Sequence, residues 1–413
     1  MAHKIREVYI VHHSHTDVGY TDLQEQVIYN QANNIRRAVE LIEEGLEKGT
    51  NQKDLKWNCE TWYCVEQFLK AATKEEKKTF FDLVKKNSIG LSANYLNFND
   101  LADCEYLTAK IHDMQEVCAK EGITVKTAMF ADINGISMGQ RDAMLANGVE
   151  FLYTNIHTHH GMYPLYQNQK PYFWENEDGK RLLVWSGEHY NLGNALGIVF
   201  NKNVNFMTEN YFGKAQGDVA GPLEKLHSNL IASMEEYEEN GYPYDFYITS
   251  VSGVFSDNAP INPAIADTVA LFNEKYGEEV TMRMVTLQEL YELIRDKVAD
   301  APVYRGAIND WWGNGVGSTP YAVKHYKEAV RLNRICDRLE EKTGVHNAEL
   351  VKAYGDNSLL YAEHTWGYSA TVTNPYDTMV TNLDMRKNSY ASKAHEAAAM
   401  RKNEQCHLLG DIP

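Results

Sequence analysis

The sequence predicts an α/β protein: a parallel sheet wrapped by helices, followed by a smaller all-helical unit. Three observations predict it. Short apolar runs alternate with amphipathic stretches through the first three hundred or so residues. Strand signals stop near Tyr321, and three helical stretches follow. The length of 413 residues also exceeds what one compact core usually holds, which favours a large barrel-type domain plus something smaller. Asp300-Ala301-Pro302 marks the boundary, giving a first unit over 1–300 and a helical unit over 301–413.

Val8 to Val11 is apolar throughout and forms the first strand. Leu23 to Leu46 carries Ile28, Ile35, Val39, Leu41 and Ile42 at helical spacing and stops before Gly49, as a long crossover helix should. Leu55 to Trp57, Ile89 to Leu91, Val125 to Phe130 and Phe151 to Tyr153 read as the next strands. Helices Val65 to Ala72, Glu75 to Lys85, Cys104 to Lys120 and Ile136 to Asn147 connect them. Tyr172 to Trp174 and Leu182 to Trp185 flank Asp178-Gly179 as a hairpin. Helix Pro222 to Tyr237 precedes the strand Phe246 to Ser250, and Val280 to Val285 is a further strand before helix Leu287 to Lys297. The second unit comprises Tyr321 to Lys342, Asn347 to His364 and Asp377 to Asn403.

Composition narrows the function classes. With 44% hydrophobic and 23% charged residues the chain can bury a sizeable core. A net charge of -17 argues against nucleic acid and anionic membranes, which reward a basic surface. No apolar leader and no span of membrane-crossing length are visible, and the six cysteines lack zinc-ribbon or CxxC spacing. A cytoplasmic protein with reduced thiols is the expectation.

The chemistry concentrates where strands end. His12-His13-Ser14-His15-Thr16-Asp17 follows the first strand, and alternation of faces puts His13, His15 and Asp17 on one side. Imidazole nitrogen and carboxylate oxygen suit zinc, although manganese or iron accepts the same set. Polar residues just past the carboxyl ends of parallel strands usually line the active site. Asp132 stands there after the fourth strand, Asn99 and Asp100 after the third, and Asp257 after Phe246 to Ser250. Taken alone, each Asp could merely cap the next helix. Proximity to a His-x-Asp element shifts the balance to function. Further on, His364 lies near the end of a helix, and Trp311-Trp312-Gly313 is either core packing or a sugar platform. His157, His159 and His160 offer a second metal element or substrate contacts.

In this order the motifs resemble the catalytic half of glycoside hydrolase family 38, the alpha-mannosidase family. His13-Ser14-His15-Thr16-Asp17-Val18-Gly19-Tyr20 is similar to that family's His-Ser-His-Asn-Asp-Pro-Gly-Trp signature. Ala131-Asp132-Ile133-Asn134-Gly135-Ile136-Ser137 resembles its Asp-Pro-Phe-Gly-His-Ser segment, and Tyr95 to Asp100 its Trp-x-Met-x-Asp-Glu stretch. Phe173-Trp174-Glu175 to Val184-Trp185 resembles its Phe-x-Trp hairpin, and Glu363-His364 falls where the helical domain supplies a metal-binding His. The resemblance implies a seven-stranded β/α barrel followed by a three-helix bundle. It also implies one zinc ion held by His15, Asp17, Asp132 and His364, with Asp132 as nucleophile of a retaining mechanism. The implied partner is an oligosaccharide or other glycoside, with Tyr20, Asn99, Asp100, His159, His160, Trp311 and Trp312 as its contacts. Neither nucleic acid nor membrane is implied, and a homo-oligomer is allowed.

Three departures stand out. The family's Gly-x-Asp-Phe acid motif is replaced by Ser252-Gly253-Val254-Phe255, so Asp257 is the candidate general acid, with Asp100 and Asp310 behind it. Tyr20 replaces Trp and Asn134 replaces Phe, which alters the expected sugar floor. The family's C-terminal β-rich region does not follow Pro413, as expected of a shortened chain or a minimal relative. A metal-dependent carbohydrate deacetylase, or a metal-containing sugar-binding relative without catalysis, would use the same ligands.

Overall fold

The computed structural model describes residues 3–157, 163, 165, 167–199, 222–253, 257–308 and 313–410. Its strands are β1 Glu7–His13, β2 Trp57–Cys59, β3 Ile89–Leu91, β4 Thr127–Phe130, β5 Phe151–Ile156, β6 Lys170–Glu175, β7 Arg181–His189, β8 Phe246–Ser252, β9 Thr281–Met284 and β10 Val303–Tyr304. β1 lies between β8 and β9, parallel to both. β2 and β3 pair in parallel, as do β4, β5 and β7 in that order. Hairpin strand β6 runs antiparallel to β7, and β10 joins its other edge. The chain past Asp300 is therefore still in the sheet, and Ile308 bridges to Ile136.

Single contacts stitch these sheets together. The Ala93 amide donates to the Thr127 carbonyl beside β4, and Asn58 Nδ2 donates to the carbonyls of both His12 and Val285. Inside, the Tyr153 hydroxyl meets Ser250 Oγ at 2.9 Å, linking β5 to β8. β1 is buried along nearly its whole length, as expected of a parallel strand covered on both faces. One hydrophobic core runs from Ile5 to Ala362 and holds Trp57, Trp174 and Trp185.

Most helices match their sequence signals, although Leu192–Leu196 and Ala264–Tyr276 were not expected. Gln24–Lys48 buries Ile35, Val39 and Ile42 and ends at Gly49, whose φ of 68° a residue without Cβ adopts freely. Thr73 and Glu76 form a capping box, and Asp103 and Ser137 cap the helices Cys104–Lys120 and Met138–Ala146. Past the sheet, helices Pro320–Thr343, Ala348–Ala362 and Thr378–Leu409 pack through Ala329, Leu332, Tyr354, Ala394 and Ala398. Alanines on the longest helix let the backbones approach closely. Among the described residues no helix is long and apolar enough to cross a membrane, and all six cysteines are free.

Two elements differ from the apolar pattern in an informative way. β1 extends to His13 and β8 to Ser252, because the ladder continues through His12↔Val251 and His13↔Ser252. Polar residues there are paired inside the protein, so hydropathy ends the strand too early. In contrast, the helix expected to reach His364 stops at Ala362, since Glu363 turns to φ -58°, ψ 145°.

Candidate metal centre and pocket

Four side chains from three regions meet at one point. His15 and Asp17 follow β1, Asp132 follows β4, and His364 follows helix Ala348–Ala362. His15 Nε2 lies 3.5 Å from Asp17 Oδ1 and 3.7 Å from Asp132 Oδ2. His364 Nε2 lies 3.2 Å from Asp17 Oδ1 and 3.1 Å from Asp132 Oδ2. All four residues are buried, with their ligand atoms within 4.8 Å of one another. Ligands ~2.1 Å from a tetrahedral zinc ion are ~3.4 Å apart, the scale of these separations.

The donor set fits a divalent ion in a second respect. His15 Nε2 and Asp132 Oδ1 are buried without a hydrogen-bond partner, a costly arrangement that a cation among them would relieve. Asp132 also holds a left-handed backbone, φ 75°, which is rare for a residue with Cβ and typical of functional sites.

Outer carboxylates orient both imidazoles. Glu60 Oε1 is 3.1 Å from His15 Nδ1, and it also accepts from Asn97 Nδ2 at 2.6 Å and the Thr16 amide at 3.1 Å. Glu60 Oε2 meets His13 Nδ1 at 2.6 Å. Glu363 Oε1 is 2.9 Å from His364 Nδ1, and Lys387 pairs with Oε2 at 3.2 Å. Such partners fix the ring so that Nε2 faces the ion. Burial would lower the pKa of both histidines, but Glu60 beside His15 and Glu363 beside His364, with Asp17 and Asp132, hold them well above the usual range. Burial would raise Asp17 and Asp132, and the two histidines outweigh it. A bound dication would take over the role of those protons.

Asp17 and Asp132 of the cluster line a cavity of about 630 Å³ whose walls also include Tyr20, His157, Tyr190, Asp257 and Thr365. Burial, then the negative charge of Asp17, pushes Asp257 up to about 7, with His15 opposing. The Tyr190 hydroxyl donates to Asp257 Oδ1 at 2.5 Å, and the Tyr190 ring lies 4.4 Å from that of His15. A carboxyl group that stays protonated near neutral pH beside an ionised one can divide acid and nucleophile roles.

Of the other expected site residues, Tyr20 lines this cavity at φ 59° and bridges to Tyr368. Asn99 does not line it: its Oδ1 accepts from the Leu101 amide and its carbonyl from Gln140. Asp100 is exposed and lines a separate groove with Arg331 and Arg334. His159, His160, Asp310, Trp311, Trp312, Val254 and Phe255 lie outside the described residues.

Glu60, Tyr190 and Lys387 escaped the sequence reading, while Asn97 and Glu363 stood in stretches it singled out but were given no role of their own. Glu60 and Tyr190 each sit one residue past a strand, β2 and β7, where the strand-end rule could have found them. Lys387 was detectable as a cation on the buried face of an alanine-rich helix.

The model for glycosyl hydrolases family 38 N-terminal domain matches residues 6–307. Among solved structures, an alpha-mannosidase from Enterococcus faecalis V583 aligns with a TM-score of 0.67 at 14% identity, covering 98% of this chain and 43% of that one. A protein in glycosyl hydrolase family 38 from Enterococcus faecalis gives 0.61 at 13% identity, covering 99% and 40%. A 4-alpha-glucanotransferase from Thermococcus litoralis gives 0.50 at 12% identity, covering 95% and 60%. The chain thus spans less than half the length of the first two, and no curated protein matches it.

Proposed function

This chain belongs to glycosyl hydrolase family 38, and from that premise we propose that it is a zinc-dependent, retaining glycoside hydrolase of alpha-mannosidase type. One observation carries the proposal: His15, Asp17, Asp132 and His364 converge, and the two aspartates of that group line a cavity whose wall also holds Asp257. The strands are read as a seven-stranded barrel closed by the contacts between β7 and β8, and the last three helices as a bundle. A division into a sheet-bearing unit and a helical unit, expected at residue 300 but with β10 and Ile308 on the sheet side, and a cytoplasmic setting belong to the same reading.

A zinc ion on these four ligands would supply Lewis acidity and an expandable coordination sphere for two neighbouring sugar hydroxyls. Asp132, kept ionised, attacks the anomeric carbon as the bond to the leaving oxygen breaks. Asp257 delivers its proton to that oxygen, then removes one from the water that displaces Asp132 and restores the configuration. Tyr190 holds Asp257 in place by its hydrogen bond. Tyr20 from the wall, with His159, His160, Trp311 and Trp312, contributes sugar contacts, and Asn99 and Asp100, which do not line this cavity, belong to the same proposed set as more distant contacts.

The test is turnover of nitrophenyl α-mannosides by metal-loaded protein, with mass spectrometric trapping of a glycosyl group on Asp132. Failure to turn over while zinc and sugar both bind would leave a sugar-binding protein. Release of acetate from acetylated sugars, with no glycosyl adduct, would leave a deacetylase.

A further inference from the structure

Helix Thr378–Leu409 carries a lysine on a buried face whose nearest members are Leu383, Tyr390, Ala391 and Ala394, with Arg401 and Gln405 buried farther along. Lys387 is 2% exposed, and a lysine is rarely buried so fully without a partner. Its ammonium donates to the carbonyls of Leu360 at 3.0 Å and Glu363 at 2.7 Å, and to Glu363 Oε2 at 3.2 Å. Trp366 closes the site, with the ammonium 4.3 Å from its ring centroid. A Cβ on Gly315 would come within 2.5 Å of the same indole, so the backbone there is pressed against it.

Glu363 has every oxygen engaged. Oε1 accepts from Thr365 Oγ1 at 2.6 Å and faces His364 Nδ1, while Oε2 accepts from the Thr365 amide at 3.0 Å and from Lys387. Thr365 Oγ1 in turn reaches Asp17 Oδ1 at 3.1 Å.

We propose that Lys387 is a positioning residue for the metal centre: by charge it fixes Glu363, and by its bonds to the last carbonyls of helix Ala348–Ala362 it fixes the turn that presents His364. The proposal rests on the metal reading of the site. The charge of Lys387 reaches the ligand only through the Glu363 carboxylate, so the part of its effect that Lys387→Gln removes must pass through that carboxylate, while the bonds to the Leu360 and Glu363 carbonyls are kept.

Zinc affinity is measured by competition with a chromophoric chelator at neutral pH, for the parent, Lys387→Gln, Glu363→Gln and the double variant, each checked for folding by melting in EDTA. Lys387→Gln keeps donors toward the helix end and removes the charge, so it is the variant to use if Lys387→Met does not fold. Its zinc Kd should rise about 10- to 100-fold, the range for loss of such outer partners, and the visible band of the cobalt-loaded protein should shift. The double variant should bind about as weakly as Glu363→Gln alone, because both changes act through one side chain. A Kd within about twofold of the parent, or losses that simply multiply in the double variant, would overturn the proposal. A parent protein that binds no zinc would instead overturn the metal reading itself.

Discussion

The two histidines of the centre are oriented by the same device built in two different ways. On the sheet side, Glu60 divides its hydrogen bonds among His13, His15, Asn97 and the Thr16 amide. On the helical side, Glu363 faces a buried ammonium and the turn just past a helix end. Both carboxylates are shared among several partners, but those of Glu60 are imidazoles, a side-chain amide and a backbone amide, whereas Glu363 also balances a buried ammonium. Loss of that ammonium leaves a desolvated carboxylate without its lysine countercharge. The half of the centre supplied by the sheet should therefore tolerate change better than the half supplied by the helices.

Asp132 touches both halves, so its removal should do the most damage. Asp132→Asn is expected to reduce turnover of aryl α-mannosides by at least ~10³-fold and to weaken zinc binding, read from kcat and metal titration. Retention of activity would show that the two sides do not share this residue as nucleophile.

The comparison itself is tested next by Glu60→Gln against Glu363→Gln. Both should weaken zinc binding, but Glu363→Gln should also cost about 3 kcal/mol or more of stability, as expected when one member of a buried pair is removed. Melting in EDTA measures this, and equal losses in the two variants would remove the asymmetry.

Asp257→Asn should slow substrates with poor leaving groups by roughly 10²-fold or more and spare activated aryl glycosides. Its carboxyl is pushed from 3.8 up to about 7, chiefly by burial. Since the acid must be protonated, activity on poor leaving groups should fall as pH rises through that region. A dication between Asp17 and Asp132 offsets their repulsion, so the fall should begin at lower pH in metal-loaded protein. A folded-state pKa above the unfolded one means that the stability contribution is present below pH 3.8 and lost as pH rises through 7. Asp257→Asn should accordingly melt higher than the parent at pH above 7 in EDTA, by about 2 °C or more. The smallest effect is expected of Asp100→Asn, which should leave kcat/KM within about twofold, because an exposed side chain outside the cavity rarely contributes more.

Much of the sheet side was legible in the sequence. His15, Asp17 and Asp132 announce themselves because an apolar parallel strand followed by ligand-type residues is a local pattern. Glu60 obeys that pattern too but lacks a neighbouring histidine to draw attention to it. The helical side was much less legible. His364 was found through resemblance, while Lys387 and Glu363 are 24 residues apart and their pairing exists only once the helices pack. Strand lengths were underread at β1, β5 and β8, where polar residues are satisfied inside the protein, Asn155 by Ser250 and Ser252 by Asn194, and so hide from hydropathy. Asn99 was singled out from its position at a strand end, whereas its bonds to Leu101 and Gln140, which tie the loop after β3, could not be read from the sequence.

The central claim is that one divalent ion sits among His15, Asp17, Asp132 and His364. X-ray absorption at the zinc edge of the loaded protein tests it most directly. The account predicts one ion per chain with only nitrogen and oxygen neighbours at ~2.0 to 2.2 Å, and loss of that signal in His364→Ala. A sulfur shell near ~2.3 Å, or an undiminished spectrum in His364→Ala, would contradict it.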